Sequence, residues 1–334
     1  GNVTIVPNAT APAQNLWAAC VFDGANWSCA CPTGTLAAGD LPNGPAAFAV
    51  RFVAQAGTSG ARPGVVRIES NGCTSNDLAC LRYAEATVPP ARCRSGACAV
   101  LGLYGGIRTT PSAALTARQA VNGNGLQVVN QDVSVGAITV HSGGAVAAGI
   151  GVTTVAGTPS ASSIRQNDNV AFGWLGADAA DCTQCLFASV FGVRPQTYRR
   201  LMGTLAIDCT AGCTAADVND ALGNSRGRVV YLFGAGGLSI TDAADSIGSA
   251  ASPVVLIVEG PLAMTAGAAG ATLRGAVYAG SVTIDGGTVT GALISATTVT
   301  ATGGTVVYDG ATLKQLRVTT GSYVRIPGSW RDHP

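Results

Sequence analysis

The chain has 334 residues and a formal net charge of +1 at pH 7, and only 11% of its residues are charged. Such a composition lacks the excess of positive charge that binds nucleic acid or anionic lipid, which argues against both as partners. Apolar residues make up 47% of the sequence, but aromatic residues only 5%, and there are 45 glycines. This profile predicts a mainly β fold of thin stacked layers rather than a thick globular core.

The eleven cysteines predict an exported protein with disulfide bonds. Disulfides persist in oxidising compartments, and each short bridge contributes about 2 kcal/mol, whereas eleven thiols in a reduced cytosolic protein would be unusual. Cys20, Cys29 and Cys31 form an odd trio, and which of them is left over stays open. The other cysteines stand in close pairs: Cys73 with Cys80, Cys93 with Cys98, Cys182 with Cys185, and Cys209 with Cys213.

Metal and redox chemistry find little support in these cysteines. The only histidines are His141 and His333, so no cysteine and histidine set has zinc spacing, and we expect no cofactor. The segment Cys182-Thr-Gln-Cys185 resembles a redox CxxC motif. No βαβ pattern surrounds it, which favours a structural bridge.

Residues 1–110 are predicted to form a cysteine-rich β region. The runs Ala46–Val53 and Gly64–Glu69 alternate apolar and polar residues, as half-buried strands do. Trp17 and Trp27 flank Cys20 and Cys29, so we expect a hairpin that is closed by a bridge, with an indole packed over it. Glycosylation-type triplets whose use stays open begin at Asn2, Asn8 and Asn26.

Residues 111–334 are predicted to form a Gly-rich β-solenoid. Short apolar-alternating strands at Val121–Val129 and Val133–Val140 lie beside Asn-Gly and Gly-Gly corners, where glycine adopts tight bends easily. The clearest repeat is Gly275–Ile284, which matches Gly291–Thr300 with a period of sixteen to seventeen residues. Such a period suits a coil that buries its apolar face only by stacking on neighbours. An antiparallel sandwich with Gly-rich turns is the alternative.

An insert at about 160–227 is predicted to interrupt the solenoid and to be partly helical. Leu186–Phe191 forms an apolar face, and Pro195 stands where a helix would begin. Thr214 is a good N-cap with an acid three residues later, and Gly223 would end that helix. Two of the close cysteine pairs fall in this insert.

The sequence offers no convincing catalytic site, and we expect the protein not to be an enzyme. Asp285 and Asp309 stand at or beside glycine corners, where aspartate is a common turn residue. Asn167-Asp168-Asn169 could supply oxygen ligands to calcium but lacks the spacing of a calcium loop, which favours a surface turn. His141 has no obvious acid or nucleophile partner in the sequence.

No apolar stretch is long enough to span a membrane, and the chain begins at Gly1 without a signal peptide. We interpret it as a processed or truncated ectodomain whose export signal lay upstream.

The C-terminus is the most distinctive segment: Leu316-Arg-Val-Thr-Thr-Gly-Ser-Tyr-Val-Arg-Ile-Pro-Gly-Ser-Trp-Arg-Asp332. It resembles the ending of the PilX-like type IV pilus assembly proteins of β-proteobacteria. The stretches Pro63–Cys73, Ala113–Ala117, Phe187–Val193 and Ser252–Gly260 follow the same family pattern, in order, along most of the chain. The resemblance implies a minor pilin or tip-associated component. Such proteins carry an N-terminal hydrophobic helix, which this sequence does not contain.

The expected role is therefore a structural one in pilus assembly and surface adhesion, at an extracellular or cell-surface location reached through the inner membrane. The expected partners are other pilins, pilus tip proteins or copies of the chain itself, and a surface or glycan ligand is a further option. Two alternatives stay open, a self-assembling filament, sheath or adhesin subunit and a carbohydrate-active β-helix enzyme. A docking segment is predicted at Tyr323, Arg325, Trp330 and Arg331, since aromatic and arginine residues are common interface anchors; the other interpretation is a cap on the last layer.

Overall fold

The structure is a computed structural model, and it is mainly β, as the composition predicts. It describes residues 16–29, 46–57, 60–73, 93–168, 172, 183–201, 203–223, 229–328 and 331–333. Two compact units are present. The first comprises residues 1–104 and 323–334, and the second comprises residues 105–322.

This division differs from the predicted domains 1–110 and 111–334 mainly at the C-terminus. The last residues belong to the first unit because two late strands, β21 (Gly321–Arg325) and β22 (Arg331–His333), both pair with β5 (Cys93–Gly105). The sequence motif of this segment gives no sign of its partner, since strand pairing across so many residues leaves no local signature.

The first unit is built on an antiparallel sheet with the strand order β2-β1-β3-β4-β5-β21. Each described pair among β1–β5 is antiparallel. Burial alternates along β3, as predicted: Ala47 and Ala49 are buried, whereas Phe48 and Val50 are half-buried. Its remaining strands are β1 (Leu16–Phe22), β2 (Trp27–Cys29), β3 (Ala46–Gly57) and β4 (Gly60–Cys73).

The second unit contains a fifteen-stranded sheet whose described strand pairs are all parallel. Its strands are β6 (Leu115–Ala117), β7 (Val121–Asn130), β8 (Val140–Ser142), β9 (Gly149–Thr154), β10 (Ile164–Arg165), β11 (Thr204–Asp208), β12 (Cys213–Thr214), β13 (Val229–Phe233), β14 (Leu238–Ile240), β15 (Ser246–Ile247), β16 (Val254–Met264), β17 (Thr272–Ile284), β18 (Thr288–Ser295), β19 (Val299–Ala301) and β20 (Thr305–Tyr308).

These strands form three parallel ladders, and a stretch of chain that contributes to each ladder is called a layer below. The first ladder runs β11, β13, β16, β17, β18, β6, β8, β10. The second ladder includes β12, β14, β19 and the start of β7, and the third includes β15, β20, the end of β7 and β9. Fully buried side chains in register form the interior column of the first ladder: Val230, Leu256, Val277, Leu293, Leu115 and Val140.

The order of the layers in space differs from their order in the sequence. The layer at residues 115–130 stacks on the layer at residues 291–308, because Leu115 pairs with Leu293, Val121 with Val299 and Val128 with Val306. The first layers of the chain therefore lie beyond the last ones, and β10 and β11 stand at opposite ends of the first ladder. We call the junction between the layer at residues 115–130 and the layer at residues 291–308 the seam.

The predicted repeat is confirmed as two layers in register. Gly275 lies beside Gly291, and the following four residues pair in the same order. Both glycines have positive φ, and a Cβ added to Gly291 would lie 1.9 Å from the carbonyl oxygen of Gly275. The layers can approach this closely only because no side chain is present at either position.

The described helices are α1 (Ser160–Ser163), α2 (Thr183–Phe191), α3 (Pro195–Arg199), α4 (Ala215–Leu222) and α5 (Gly310–Thr319). Three of them match the helices predicted in the insert. Pro195 begins α3, and Thr214 caps α4 through a reciprocal capping box with Asp217. The cap residue at the C-terminus of α4 is Gly223.

The predicted extent of the insert, 160–227, is wrong at both ends. At its N-terminal end, β10 (Ile164–Arg165) still lies in the first ladder, where it pairs with β8. β11 already belongs to the first ladder, since Thr204–Asp208 pairs in register with Val229–Phe233 of β13. The ladder thus resumes at residue 204 and not after 228. Helix α4 misled the prediction because it lies within a layer and connects β12 to the next one, with Asn219 Nδ2 donating to the Ser246 carbonyl of β15 (2.9 Å).

The helix α5 was not predicted, although its start carries a recognisable signal. Asp309, interpreted as a turn residue, is its N-cap and accepts hydrogen bonds from the Thr312 backbone N–H (3.0 Å) and hydroxyl (2.8 Å). Thr312, Leu313 and Leu316 are buried at helical spacing. The helix is hard to predict because its first residue is Gly310, and glycine disfavours helical structure.

Candidate functional site

The predicted docking site is described mainly in the C-terminal segment, residues 321–328. Val324 is 41% exposed and Ile326 39%, and Arg325 between them is also exposed. Tyr323 is half-buried, and burial raises the pKa of its phenol. Trp330 lies outside the described residues, and Arg331 is described only as backbone in β22.

The backbone of this segment is fixed along one edge of the antiparallel sheet. The Ile326 N–H donates to the carbonyl of Val100 in β5 (2.9 Å), and the Ile326 side chain covers Gly102. Pro327 and Gly328 then interrupt the pairing before Arg331 resumes it opposite Cys98. Two exposed aliphatic side chains and an arginine are thus presented from an ordered strand, and aliphatic and arginine side chains suit a protein contact.

The described disulfides stabilise one short loop in each unit. Cys20 pairs with Cys29 across the β1–β2 hairpin, and Cys209 pairs with Cys213 between β11 and β12. The pairing within the trio leaves Cys31, which lies outside the described residues. Cys73 is also disulfide-bonded, and its predicted pairing with Cys80 remains a prediction, because Cys80 lies outside the described part of the chain. Disulfide bonds are typical of secreted and extracellular proteins.

The other predicted cysteine pairs cannot be followed in the same way. The side chains of Cys93 and Cys98 and the whole of Cys182 are not among the described parts of the structure. Cys185 lies in α2 and is partly exposed. The pairs Cys93 with Cys98 and Cys182 with Cys185 therefore remain predictions.

His141 has an acid partner that the sequence does not reveal. Its Nε2 lies 2.9 Å from Oδ2 of Asp168, and the ring of Phe172 packs against the imidazole with centroids 4.8 Å apart. Asn167 adopts the left-handed region at φ 54°. Its backbone N–H donates to the carbonyl of Gly144, and the N–H of Asp168 donates to the carbonyl of Ser142. Asn167 and Asp168, predicted to lie in a surface turn, thus hold the start of the insert against β8, and Asp168 orients His141.

The insert is anchored at its other end by a buried aromatic cluster. Phe187 and Phe191 of α2 pack against Tyr198 of α3 and against Tyr278 of the first ladder, with ring centroids 4.4–5.7 Å apart within this group. Tyr231 donates to Glu259 Oε1 (2.7 Å), and burial followed by this carboxylate raises the pKa of Tyr231. Tyr198 donates to the carbonyl of Gly106. The hydroxyls of Tyr198 and Tyr231 thus act as structural hydrogen-bond donors.

In the described part of the molecule, no group of three or more histidine, cysteine, aspartate or glutamate side chains could bind a metal ion. Among the same residues, no helix has the length and apolar character needed to cross a membrane.

Comparison with known proteins identifies no relative. The chain matches no protein family, no curated protein and no solved structure.

Proposed function

We propose that this chain is a non-enzymatic extracellular component of the type IV pilus machinery, in which the second unit is a β-solenoid. The observation that carries the proposal is the C-terminal segment. The string that resembles the PilX-like ending is the one that presents Val324, Arg325 and Ile326 at the edge of a sheet. A segment that only capped a core would be expected to bury these side chains.

Three parallel ladders support the solenoid part of the proposal. In-register interior side chains such as Val277 and Leu293 are fully buried between neighbouring layers, which is how solenoid repeats gain stability. Disulfides within short loops suit a body that must stay folded outside the cell. The proposed role is mechanical, since the folded chain presents the C-terminal segment as a docking site for other pilins.

The test uses the bacterium that produces the chain. Deleting the gene is expected to reduce the number of surface pili, and a tagged copy is expected to retain pilins through purification. The variant Val324→Ser with Arg325→Glu should lose the pilins. Its control, Arg317→Glu with Val318→Ser, changes the same residue types at two exposed positions of α5 and should retain them. An unchanged pilus number together with no retained pilin would reject the proposal.

A second candidate is a self-assembling filament or sheath subunit. Within the described residues, β11 pairs on one side only, with β13, so its other edge could receive a layer of a second copy. Electron microscopy of the purified chain distinguishes the two candidates. Filaments formed without any other protein would favour this one.

A further inference from the structure

We propose that the tip of the first hairpin, residues 23–29, is a carbohydrate-binding site in which the indole of Trp27 stacks on a neutral sugar ring. This site would be separate from the C-terminal segment and would not depend on pilus association.

Trp27 combines high exposure with ordered surroundings. Its side chain is 52% exposed, and no other aromatic side chain is exposed among the residues that the structure describes. The indole packs against Phe22 and Phe48, with ring centroids 5.3 and 5.1 Å apart. One part of the ring is therefore held by aromatic neighbours while another part faces solvent.

The hairpin that carries Trp27 is restrained at both ends. Cys20 and Cys29 are joined by a disulfide directly below the tip. In the turn, Asp23 Oδ1 accepts the backbone N–H groups of Ala25 (2.8 Å) and Asn26 (2.7 Å), and the Asp23 N–H donates to the Asn26 carbonyl. Because tryptophan has few rotatable bonds and this loop is already ordered, little entropy would be lost on binding.

The size of the exposed apolar surface favours a sugar over a protein. A stable protein contact buries about 800 Å² on each partner, with several apolar anchors at its centre. Here one indole is exposed, and its two neighbours in the sequence, Asn26 and Ser28, are small and polar. A pyranose ring has this mixed character, with an apolar C–H face that fits the electron-rich face of an indole and hydroxyl groups at its rim.

The charge of the tip favours a neutral ligand. Residues 23–29 contain no lysine or arginine, and their one ionisable acid is Asp23. Hydrogen bonds from the backbone of Asn26 and Ala25 hold the pKa of Asp23 below its usual range, so this carboxylate is ionised at neutral pH. Anionic lipid, nucleic acid and sulfated glycans would be repelled by it.

The experiment is a binding titration by saturation-transfer NMR with the whole chain. The neutral probes are cellotetraose and the tetramer of N-acetylglucosamine, and a sulfated heparin tetrasaccharide is the charged probe. We expect at least one neutral probe to bind, with Trp27→Ala weakening it about tenfold or more and Trp27→Phe weakening it less. Val133→Ala, at an exposed aliphatic position of the second unit, is the control and should bind as the parent does.

Loss of binding is informative only if the hairpin stays intact, so the Cys20–Cys29 bond is checked by peptide mapping in each variant. If Trp27→Ala loses that bond, the comparison of Trp27→Phe with the parent decides. The proposal is overturned if neither neutral probe binds, if Trp27→Ala binds as well as the parent, or if the sulfated probe binds more tightly. It is also overturned if Trp27→Ala instead abolishes the retention of pilins, which would identify a protein contact.

Discussion

The two units solve the problem of burying a β-sheet in different ways. In the first unit, the strands β1–β5 are antiparallel, and the side chains of Phe22, Phe48 and Phe52 remain half-buried. In the second unit, the described strand pairs are all parallel, and interior side chains such as Leu256 and Leu293 are fully buried. An antiparallel sheet can leave one face near solvent, whereas stacked parallel layers enclose their interior.

This difference determines what each unit tolerates. The layers of the second unit touch backbone to backbone, so their stability depends on small residues at a few corners. In the first unit, the turn at the hairpin tip has open space around it, and its order comes from a disulfide and local hydrogen bonds. Substitutions at the close contacts between layers should therefore cost more than substitutions at the hairpin tip.

The largest effect is expected from Gly291→Ala. Gly291 has φ +130°, and its new Cβ would lie 1.9 Å from the Gly275 oxygen, so neighbouring layers would have to separate. We expect a loss of at least about 4 kcal/mol in the free energy of unfolding. The control in the first unit is Gly24→Ala, at φ +108° with nothing within 4 Å of the added atom, which should cost about 1–2 kcal/mol. Similar costs measured by denaturant unfolding would refute the role given to close layer contact.

The next effect tests the seam. Asn122 and Thr300 pair in register across it, and both are exposed. Adjacent strands lie about 4.8 Å apart, within reach of a disulfide, so the double variant Asn122→Cys and Thr300→Cys should form one. Because this bond closes a long loop, it should stabilise the second unit by up to about 4 kcal/mol.

The matched pair for this test is Thr283→Cys with Thr300→Cys, which joins two layers that also follow one another in sequence. It should form its bond equally well and stabilise less, because its loop is short. Peptide mapping identifies both bonds. If the 283–300 bond forms and the 122–300 bond does not, the layer order across the seam is wrong.

The sequence predicts the repeated layers at residues 275–300 well and the arrangement of the layers poorly. The strand predicted at Val133–Val140 is wrong, since Val133–Val135 forms a 3-10 helix and β8 begins only at Val140. Gly275 and Gly291 stand at equal places in a repeat, and that repeat is enough to predict that they stack. Nothing comparable links Leu115 to Leu293, since an apolar residue at an interior position fits against any layer. The seam is therefore a property of long-range packing, which a periodic sequence does not encode locally.

The candidate sites show the same limit. The exposure of Arg325 and the half-burial of Tyr323 depend on pairing with β5, more than two hundred residues earlier in the chain. His141 and Asp168 meet only because the chain returns along β8 at the start of the insert. By contrast, the Cys20–Cys29 hairpin with Trp27 at its tip could be predicted, because all of its contacts to β2 are local.

A moderate effect is expected from removing two of the disulfides, one from each unit. Cys20→Ala with Cys29→Ala should cost the first unit about 3 kcal/mol, and Cys209→Ala with Cys213→Ala should cost the second about 2 kcal/mol, because the second bond closes a shorter loop. Thermal unfolding followed by native-state hydrogen exchange assigns each loss to a unit. A larger loss from the Cys209–Cys213 variant would show that this bond also holds the first layer in place, beyond its effect on loop entropy.

The smallest effect concerns the charge of Asp309 at the start of α5. Its Oδ2 accepts a hydrogen bond from Arg274 Nη2 (2.6 Å). Burial alone would raise the pKa of this carboxyl, but the hydrogen bonds from Thr312 and the charge of Arg274 outweigh it and lower the pKa overall. Stability from this group is thus present above the pKa of the unfolded chain and is lost as the pH falls through the lower folded pKa.

The variant Asp309→Asn separates this charge from the cap, since asparagine also caps helices well. At pH 7 it should lose about 0.5–1 kcal/mol, as expected for a partly exposed ion pair, and that difference from the parent should shrink as the solution is acidified. Arg274→Gln should lose a similar amount, and the double variant should lose little more than either alone, because both remove one interaction. Fully additive losses in this cycle would mean that the two side chains act independently, and the second unit would then owe the start of α5 to the Thr312 cap alone.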